Sequence, residues 1–168
     1  MTTTGTPPPD GIALETMLCF DLYAASRALT SVYRGLLEPL DLTYPQYLVL
    51  VVLWTRGEQT VRQVIDRLQL DYGTVSPLLK RLEVRGLLER RRRVDDERSV
   101  TVSLTDAGLA LRDRCAHLPG HVGAAFGLTP QEMTTFAQLL STVRRTAAGH
   151  AGGDADARAP RPATAAHA

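Results

Sequence analysis

The chain has 168 residues, of which 44% are hydrophobic, and its 19 lysine and arginine residues against 18 aspartate and glutamate residues give a formal net charge of +1. That length suits one domain with a well-buried core, and the near-neutral charge means that any affinity for nucleic acid has to come from local clusters of basic residues. No apolar run reaches the roughly 18 residues of a membrane span, no signal-peptide pattern opens the chain, and two cysteines are too few for a disulfide-built fold, so we expect a cytoplasmic protein without a membrane segment.

Both ends of the chain are low in complexity. Residues 1–10 are rich in Thr and Pro, and residues 149–168 are rich in Ala, Gly, Pro and Arg, so we expect a disordered N-terminal arm and a disordered tail. Between them, residues 11–148 are predicted to form a single, mostly helical domain. A long amphipathic helix is expected from Leu14 to near Pro39, because apolar residues recur at steps of three and four.

Two capping boxes and one further capping residue predict the next three helices. Thr43 with Gln46 opens an apolar core helix, and Thr60 with Gln63 opens a short one. Asp71 is the predicted N-cap of the third helix. In that helix the apolar positions make one buried stripe, which consists of Val75, Leu78, Leu79 and Leu82. Two short helices joined by a tight turn are typical of a helix-turn-helix, in which the second helix reads DNA.

A charged β-hairpin is predicted to follow. Eight of the residues from Lys80 to Arg98 are basic and five are acidic, and Gly86 ends the preceding helix. Valines and a leucine alternate with polar residues on the returning strand, 100–104. A helix followed by an arginine-tipped hairpin is the outline of a winged helix, which places a helix in the major groove and a cationic wing on the neighbouring backbone or minor groove. We assign residues 43–105 to this winged helix-turn-helix.

The C-terminal part of the chain again predicts helices. Thr105 starts one that Pro119 interrupts, and Thr129 opens the last one. A single winged domain does not need this much terminal helix, so segments 11–38 and 106–148 are interpreted as dimerisation helices. An obligate homodimer would also set the two recognition helices, here called the reading helices, about one turn of DNA apart. The predicted fold class is therefore mainly α with a small β-hairpin wing, flanked by N- and C-terminal dimerisation helices.

One face of the reading helix and the tip of the hairpin carry the predicted DNA contacts. Small hydroxyls and an apolar ring near the helix start suit base edges and thymine methyl groups, while the basic side chains that follow reach phosphates or guanine. Arginines at the hairpin tip suit a narrow minor groove. Asp96 is predicted to brace Arg98 and so to support the wing. The complete set of predicted contacts is Thr74, Ser76, Pro77, Lys80, Arg81, Arg92, Arg93 and Arg98.

Several short stretches resemble a known family. Asp96-Glu97-Arg98, followed by Leu104-Thr105 and Gly108, is similar to the wing signature of the MarR family of bacterial regulators, and the similarity extends over most of residues 14–148. Longer stretches resemble the organic-hydroperoxide-sensing branch of that family; they are Leu18-Cys19-Phe20, Tyr33-Arg34-Gly35-Leu36-Leu37, Leu42-Thr43-Tyr44-Pro45-Gln46-Tyr47 and Pro77-Leu78-Leu79-Lys80-Arg81-Leu82-Glu83. The resemblance implies a homodimer that binds a pseudopalindromic operator in double-stranded DNA and represses the adjacent gene.

Cys19 lies on a helix face that carries hydroxyl groups next to the leucine stripe. A lone cysteine in an amphipathic helix is usually a core residue, but phenols and hydroxyls that donate hydrogen bonds stabilise a thiolate as a nucleophile toward peroxide oxygen. Tyr33 is roughly 21 Å along the same helix, so it reaches Cys19 only across an antiparallel dimer. The resemblance implies this arrangement, with Cys19 the reactive thiol and Tyr33 and Tyr44 its hydrogen-bonding partners. Tyr23 and Tyr47 are interpreted as core or local packing.

The resemblance also implies a mechanism. An organic hydroperoxide oxidises Cys19 of the DNA-bound, reduced dimer to sulfenic acid, the hydrogen bonds around the thiolate rearrange, a disulfide holds the altered state, and the DNA is released. Cys115 is a second thiol that could supply this disulfide. The resolving cysteine of some family members lies farther along, near Ala124 or Ala125, so we favour capping of Cys19 by a low-molecular-weight thiol.

Three other functions stay open at this point. A regulator that responds to a small aromatic ligand would use Cys19 only for packing. A thiol peroxidase would use Cys19 as its nucleophile, but the sequence offers no second redox motif and the basic wing would lack a purpose. An interaction module that no longer reads DNA would lack strongly salt-dependent duplex binding. No cofactor motif is present and four scattered histidines form no ligand set, so we predict no enzyme activity, cofactor or metal.

Overall fold

The computed structural model describes residues 13–92 and 99–157. The chain divides into two compact units, the first ending at Ala125 and the second beginning at Phe126. The helices of the first unit are α1 (Leu18–Leu37), α2 (Tyr44–Arg56), α3 (Val61–Leu68), α4 (Tyr72–Val84), α5 (Asp106–Cys115) and α6 (Leu118–Ala125). Its strands are β1 (Gln59–Thr60), β2 (Leu88–Arg92) and β3 (Val100–Leu104). The predicted fold class, mainly helical with a small β-hairpin wing, is confirmed.

Helix α1 starts later than the sequence predicts and stops where it predicts. The chain enters through a 3-10 turn, Leu14–Thr16, and Met17 has an extended backbone with φ −90° and ψ 100°, so the α-helix begins only at Leu18. A second 3-10 turn, Glu38–Leu40, contains Pro39 and leads to α2. Among the described residues no single helix has the length and apolar composition of a membrane span; α1 and α2 reach it only together, as a pair bent by 75°.

Helices α2 and α3 begin at the capping boxes that the sequence predicts. The backbone N–H of Thr43 donates to Oε1 of Gln46 over 2.8 Å, and the backbone N–H of Thr60 donates to Oε1 of Gln63 over 2.8 Å. Each bond satisfies a backbone donor that a helix start leaves free. These caps fix where the two helices start, and α3, the tight turn and α4 follow in the order of a helix-turn-helix.

The wing is part of a three-stranded antiparallel sheet in the order β1-β3-β2. Strands β2 and β3 form the predicted hairpin, in which Leu88 pairs with Leu104 and Arg92 with Val100. Strand β1, which pairs Gln59 with Val102, was missed because two residues are too short to show an alternating pattern. Since Val102 is fully buried, the middle strand anchors the wing to the core.

The core is built around α2, α4 and the sheet, and the other helices of the first unit each add at least one buried side chain. Its fully buried side chains are apolar, and the largest are Leu37, Leu50, Leu53, Leu79, Leu82, Leu88 and Leu118. Helix α5 packs closely at Gly108, where an added Cβ atom would lie 2.0 Å from the carbonyl oxygen of Leu87. The indole Nε1 of Trp54 donates to the Gly108 carbonyl oxygen over 2.9 Å. These contacts hold α5, the wing and the helix-turn-helix as one body.

The second unit contains helix α7, Pro130–Ala157. Its start is the predicted one, because the backbone N–H of Thr129 donates to Oε2 of Glu132 over 2.8 Å. The helix runs beyond Gly149, where the sequence predicts the start of a disordered tail, and ends at Ala157. The predicted arm, residues 1–10, and residues 158–168 lie outside the described part of the chain.

Candidate nucleic-acid interface and cysteine region

Helix α4 presents most of the predicted DNA contacts on one side. Pro77, Lys80 and Arg81 are exposed and Ser76 is half-buried, while the stripe of Val75, Leu78, Leu79 and Leu82 is buried as predicted. Within the described residues neither Lys80 nor Arg81 enters an ion pair. Their charges are therefore available for phosphates or guanine edges.

Thr74 has a structural task that the sequence did not reveal. Asp71 caps α4 as predicted, and its Oδ1 accepts from the backbone N–H of Thr74 over 2.7 Å. The Thr74 hydroxyl also donates to Oδ2 of Asp71 over 2.8 Å. These two hydrogen bonds hold the pKa of the Asp71 carboxyl below its usual range. The hydroxyl of Thr74 is thus already engaged in holding the start of the helix.

The wing is described only in part. Arg92 is exposed at the end of β2, as a contact to DNA would require. Arg93, Asp96 and Arg98 lie outside the described residues, so their predicted roles at the tip stay predictions.

A hydrogen-bonded ion pair joins the wing to α4. The Nε of Arg90 in β2 donates to Oε2 of Glu83 in α4 over 2.9 Å, and its Nη2 donates to the same oxygen. Both side chains are about two-thirds buried, and the pairing with Arg90 lowers the pKa of the Glu83 carboxyl. The pair fixes the base of the wing relative to the reading helix. No sequence pattern indicates it directly, because the two residues belong to different elements.

Arg85, just after α4, joins that helix to the turn that follows α1. Its Nη2 donates to the carbonyl oxygen of Leu40 over 3.0 Å, and its Nη1 donates to that of Asp41. Its Nε lies 3.4 Å from Oδ2 of Asp41, whose backbone is left-handed with φ 51°. Arg85 therefore connects the turn after α1 to the end of the reading helix.

Three tyrosines meet where α1 and α2 pack together. The ring of Tyr33 stacks on Tyr44, with centroids 4.2 Å apart, and is tilted toward Tyr47 at 5.7 Å. Burial raises the pKa of all three phenols. Tyr47 is buried, so its interpretation as core is confirmed. Tyr23 is exposed and is not core; its hydroxyl accepts from Nη1 of Arg27 over 3.0 Å, a purely local contact.

Cys19 lies apart from that tyrosine cluster. It is exposed in the first turn of α1, next to Leu18, which is 77% exposed. Helix α1 is continuous to Leu37, so Cys19 and Tyr33 of one chain are roughly 21 Å apart along its axis. Of the three residues predicted to form a redox site, the structure brings Tyr33 and Tyr44 together and leaves Cys19 at the other end of the helix.

Cys115 is a core residue. It ends α5, is 3% exposed, and burial raises the pKa of its thiol. Its charged form would also raise the pKa of the Tyr47 phenol, because the two groups lie close together in the core. A protonated, enclosed thiol is a poor nucleophile, so this position argues against Cys115 as a resolving thiol.

Two features at the ends of α4 were missed from the sequence. Tyr72, its first residue, is 66% exposed. Near its other end an open cleft of about 760 Å³ lies against the turn between α1 and α2, and the side chain of Gln46 at its wall is 5% exposed. An unusual aromatic at a helix start could have been noticed in the sequence, whereas the cleft depends on the packing of distant segments.

Comparisons with known proteins agree with this geometry. A family model described as transcriptional regulator SarA/Rot matches residues 31–114. The organic hydroperoxide resistance transcriptional regulator of Bacillus subtilis is 44% identical over 134 residues, which cover 80% of this chain and 89% of that one. Reduced AbfR of Staphylococcus epidermidis bound to DNA is 32% identical with a TM-score of 0.66, over 79% of this chain and 93% of that one.

A third comparison extends the likeness to MarR itself. A cysteine-to-serine mutant of Escherichia coli MarR is 29% identical with a TM-score of 0.60, over 76% of this chain and 96% of that one. These regulators thus share one architecture with this chain. It contains the reading helix α4, with its exposed basic side chains, and the wing. The chain belongs to the family of MarR- and SarA/Rot-type winged helix-turn-helix proteins, and it is a DNA-binding transcriptional regulator.

Proposed function

We propose that this regulator is a repressor that senses organic hydroperoxides through Cys19. A reduced homodimer binds a pseudopalindromic operator, and oxidation of Cys19 releases the DNA. The observation that carries the proposal is the separation along α1: an exposed thiol lies at one end of the helix, and the stacked Tyr33 and Tyr44 lie at the other. When two copies of α1 run antiparallel, the thiol of one subunit lies beside the two tyrosines of the other, and together they form one site.

The apolar surface at the start of α1 supports this dimer. Leu18 is 77% exposed and Leu22, one turn later, is 42% exposed, and Leu14 and Met17 before them are also exposed. A run of exposed large apolar side chains indicates a contact surface. An antiparallel partner helix would cover it and bring Cys19 to Tyr33 and Tyr44 of the partner subunit.

The two phenols are suited to hold a thiolate. Because burial raises the pKa of Tyr33 and Tyr44, both hydroxyls keep their protons at neutral pH and can donate. Among the described residues neither hydroxyl has a hydrogen-bond acceptor within its own chain. A thiolate from the partner subunit would supply that acceptor, and the donated hydrogen bonds would favour the charged, nucleophilic form of sulfur.

The proposed redox reaction uses two reactants from solution, an organic hydroperoxide and a low-molecular-weight thiol. The thiolate sulfur of Cys19 attacks one peroxide oxygen, a sulfur–oxygen bond forms, the oxygen–oxygen bond breaks, and the alcohol leaves after taking up a proton. The resulting sulfenic acid condenses with a low-molecular-weight thiol to give a mixed disulfide and water. Cys115, buried in the core, is poorly suited to this second step. The exposed leucines around Cys19 favour an organic over an inorganic peroxide.

The signal then has a physical route to the DNA. A bulky adduct on Cys19 at the interface displaces the partner helix, and the end of each α1 is joined through Arg85 to the end of α4. A shift there changes the spacing of the two reading helices. One relative supports a response to organic hydroperoxides: the Bacillus subtilis protein is an organic hydroperoxide resistance transcriptional regulator.

The test is operator binding by wild-type protein, Cys19→Ser and Cys115→Ala, each reduced and then treated with cumene hydroperoxide plus a small thiol. Intact mass is measured on the same samples. We expect wild type and Cys115→Ala to leave the DNA as one oxygen atom or one thiol adduct is gained per chain. Cys19→Ser should stay bound with unchanged mass. Equal release of wild type and Cys19→Ser would overturn the proposal.

A second candidate function, response to a small aromatic ligand, is favoured by the cleft beside α4. Its wall combines apolar side chains with basic Lys80 and Arg81 on α4, and acidic Glu38 and Asp41 line it as well; the apolar residues are Leu42, Pro77 and Val84. The Nε2 amide of Gln46, a buried side chain, donates to none of the described residues. An aromatic carboxylate would match an apolar wall, a free amide donor and two cations, and it would cover side chains that bind DNA.

Titration with benzoate and its hydroxylated analogues distinguishes this candidate from the first. If the regulator is controlled by such a ligand, the compound releases the operator from the Cys19→Ser variant as well as from wild type. Val84→Glu, which places a carboxylate on the exposed edge of the cleft, should then abolish the ligand effect. If none of these compounds weakens DNA binding at millimolar concentration, the second candidate is wrong.

A further inference from the structure

Helix α4 begins with a large aromatic side chain that the predicted DNA contacts do not include. Tyr72 is the first residue of the helix and is 66% exposed. Its ring contributes no buried surface to the core, whose side chains on this helix are Val75, Leu78, Leu79 and Leu82. An aromatic ring left in water at the start of a reading helix requires another explanation.

The rest of the first turn offers little to a base pair. Gly73 has no side chain, the hydroxyl of Thr74 donates to Asp71, and Val75 is fully buried. The N-terminal residues of a recognition helix are the ones that contact base edges in the major groove. Of the side chains in this turn, Tyr72 is therefore the one that is both long and free to extend outward.

The surroundings of Tyr72 place it between α3 and the wing. With Arg62 and Asp66 of α3 and with Ser99 and Val100 at the start of β3, it lines a cleft of about 590 Å³. In a winged helix bound to duplex DNA, the reading helix enters the major groove and the wing contacts the adjoining backbone or minor groove. Tyr72 thus lies on the side of α4 that faces the wing.

We propose that Tyr72 is a specificity-determining residue, whose ring packs against the 5-methyl group of a thymine in the major groove of each half-site. Thymine is the base that presents an apolar group in that groove, and it is recognised by apolar side-chain surface. The ring of Tyr72 supplies that surface, so the base at this position of the half-site is recognised by apolar packing and not by an electrostatic interaction.

The charges nearby favour a base edge over a phosphate as the partner of Tyr72. Asp71, the adjacent N-cap, is negatively charged at neutral pH, and its hydrogen bonds with Thr74 lower its pKa further. Asp66 lines the same cleft, and Arg62 lies 4.0 Å from it. A phosphate held by the Tyr72 hydroxyl would approach the adjacent Asp71 carboxylate, whereas an uncharged methyl group would not be repelled.

The experiment begins with selection of binding sites from a randomised duplex library by wild-type protein and by Tyr72→Ser. We expect wild type to select thymine at one position in each half-site and Tyr72→Ser to lose that preference. Replacing that thymine by deoxyuridine removes only the methyl group. It should weaken wild-type binding about fourfold for each half-site replaced, since that is the effect of one buried methyl group, and leave Tyr72→Ser unchanged.

Two controls separate this contact from other causes. Tyr72→Phe keeps the ring and should keep both the preference and the deoxyuridine effect, whereas a phosphate contact through the hydroxyl would be lost. Leu109→Ser changes an exposed apolar residue of α5, away from the reading helix, and should not alter base preference. The proposal is overturned if wild type and Tyr72→Ser select the same sites, or if deoxyuridine weakens both equally at every position.

Discussion

The ring of Tyr33 in α1 stacks on the ring of Tyr44 in α2, with centroids 4.2 Å apart and planes inclined by 28°. The two residues are joined through the 3-10 turn that contains Pro39, so the stack ties the last part of α1 to the first residue of α2. Both hydroxyls are protonated at neutral pH, because burial raises the pKa of each phenol. This pair is the half of the proposed redox site that one subunit supplies.

Tyr33→Phe and Tyr44→Phe should slow the oxidation of Cys19 without weakening DNA binding by the reduced protein. Each variant removes one hydrogen-bond donor from the thiolate but keeps the stacked ring. A hydrogen bond to a charged group is worth enough to change the rate about tenfold. The rate is measured by stopped flow with cumene hydroperoxide, and the sulfenic acid is trapped with dimedone.

Tyr23→Phe is the matched control for these two variants. Tyr23 belongs to the same helix, but its hydroxyl contacts Arg27 of its own chain. We expect its removal to leave the oxidation rate unchanged. If all three phenylalanine variants react at the wild-type rate, the tyrosines do not activate Cys19.

Features made by residues close in sequence could be predicted, and features that join distant segments could not. Caps such as Thr43 and Asp71 were predicted because the partners lie three residues apart. The end of α4 was predicted from the glycine at position 86, and Gly86 does have the left-handed backbone, φ +67°, that favours glycine. The Glu83–Arg90 pair could not be predicted from the sequence, because it joins α4 to β2 and only the packing of the folded core brings those two elements together. The burial of Cys115 was missed for the same reason.

The Glu83–Arg90 pair predicts a stability difference that depends on pH. The hydrogen bonds from Arg90 lower the pKa of Glu83 in the folded protein, so the pair's contribution is complete above the ordinary glutamate pKa and is lost as the pH falls through the lower folded value. Glu83→Gln should reduce the free energy of unfolding by about 1 kcal/mol at neutral pH, a modest value because the pair is partly exposed. The difference from wild type should vanish in acid.

Urea unfolding of wild type and Glu83→Gln across this pH range measures that effect. Asp66→Asn provides the control, because Asp66 and Arg62 are highly exposed and 4.0 Å apart. Its removal should change stability little at any pH. A Glu83→Gln deficit that persists unchanged in acid would show that the loss comes from packing and not from the charge of the carboxylate.

Gly108 should tolerate no side chain. An added Cβ atom would lie 2.0 Å from the carbonyl oxygen of Leu87, and the carbonyl oxygen of Gly108 itself accepts the hydrogen bond from Trp54. Gly108→Ala should therefore push α5 away from the wing and lower the free energy of unfolding by about 3 kcal/mol. Gly120→Ala in α6, where nothing lies within 4 Å of the added atom, should instead be neutral or stabilising by up to about 1 kcal/mol. Thermal unfolding of both variants checks the contrast.

The two cysteines should differ sharply in their reaction with iodoacetamide at neutral pH. Cys19 is exposed, whereas Cys115 is 3% exposed and burial raises the pKa of its thiol, so it is both enclosed and protonated. Mass mapping of the native protein should find Cys19 alkylated and Cys115 unmodified until urea unfolds the chain. Cys115→Ala should keep the native reactivity of Cys19, because the two thiols do not cooperate. Rapid alkylation of Cys115 in the folded protein would mean that the core around α5 opens, and Cys115 would then have to be reconsidered as the thiol that completes the disulfide.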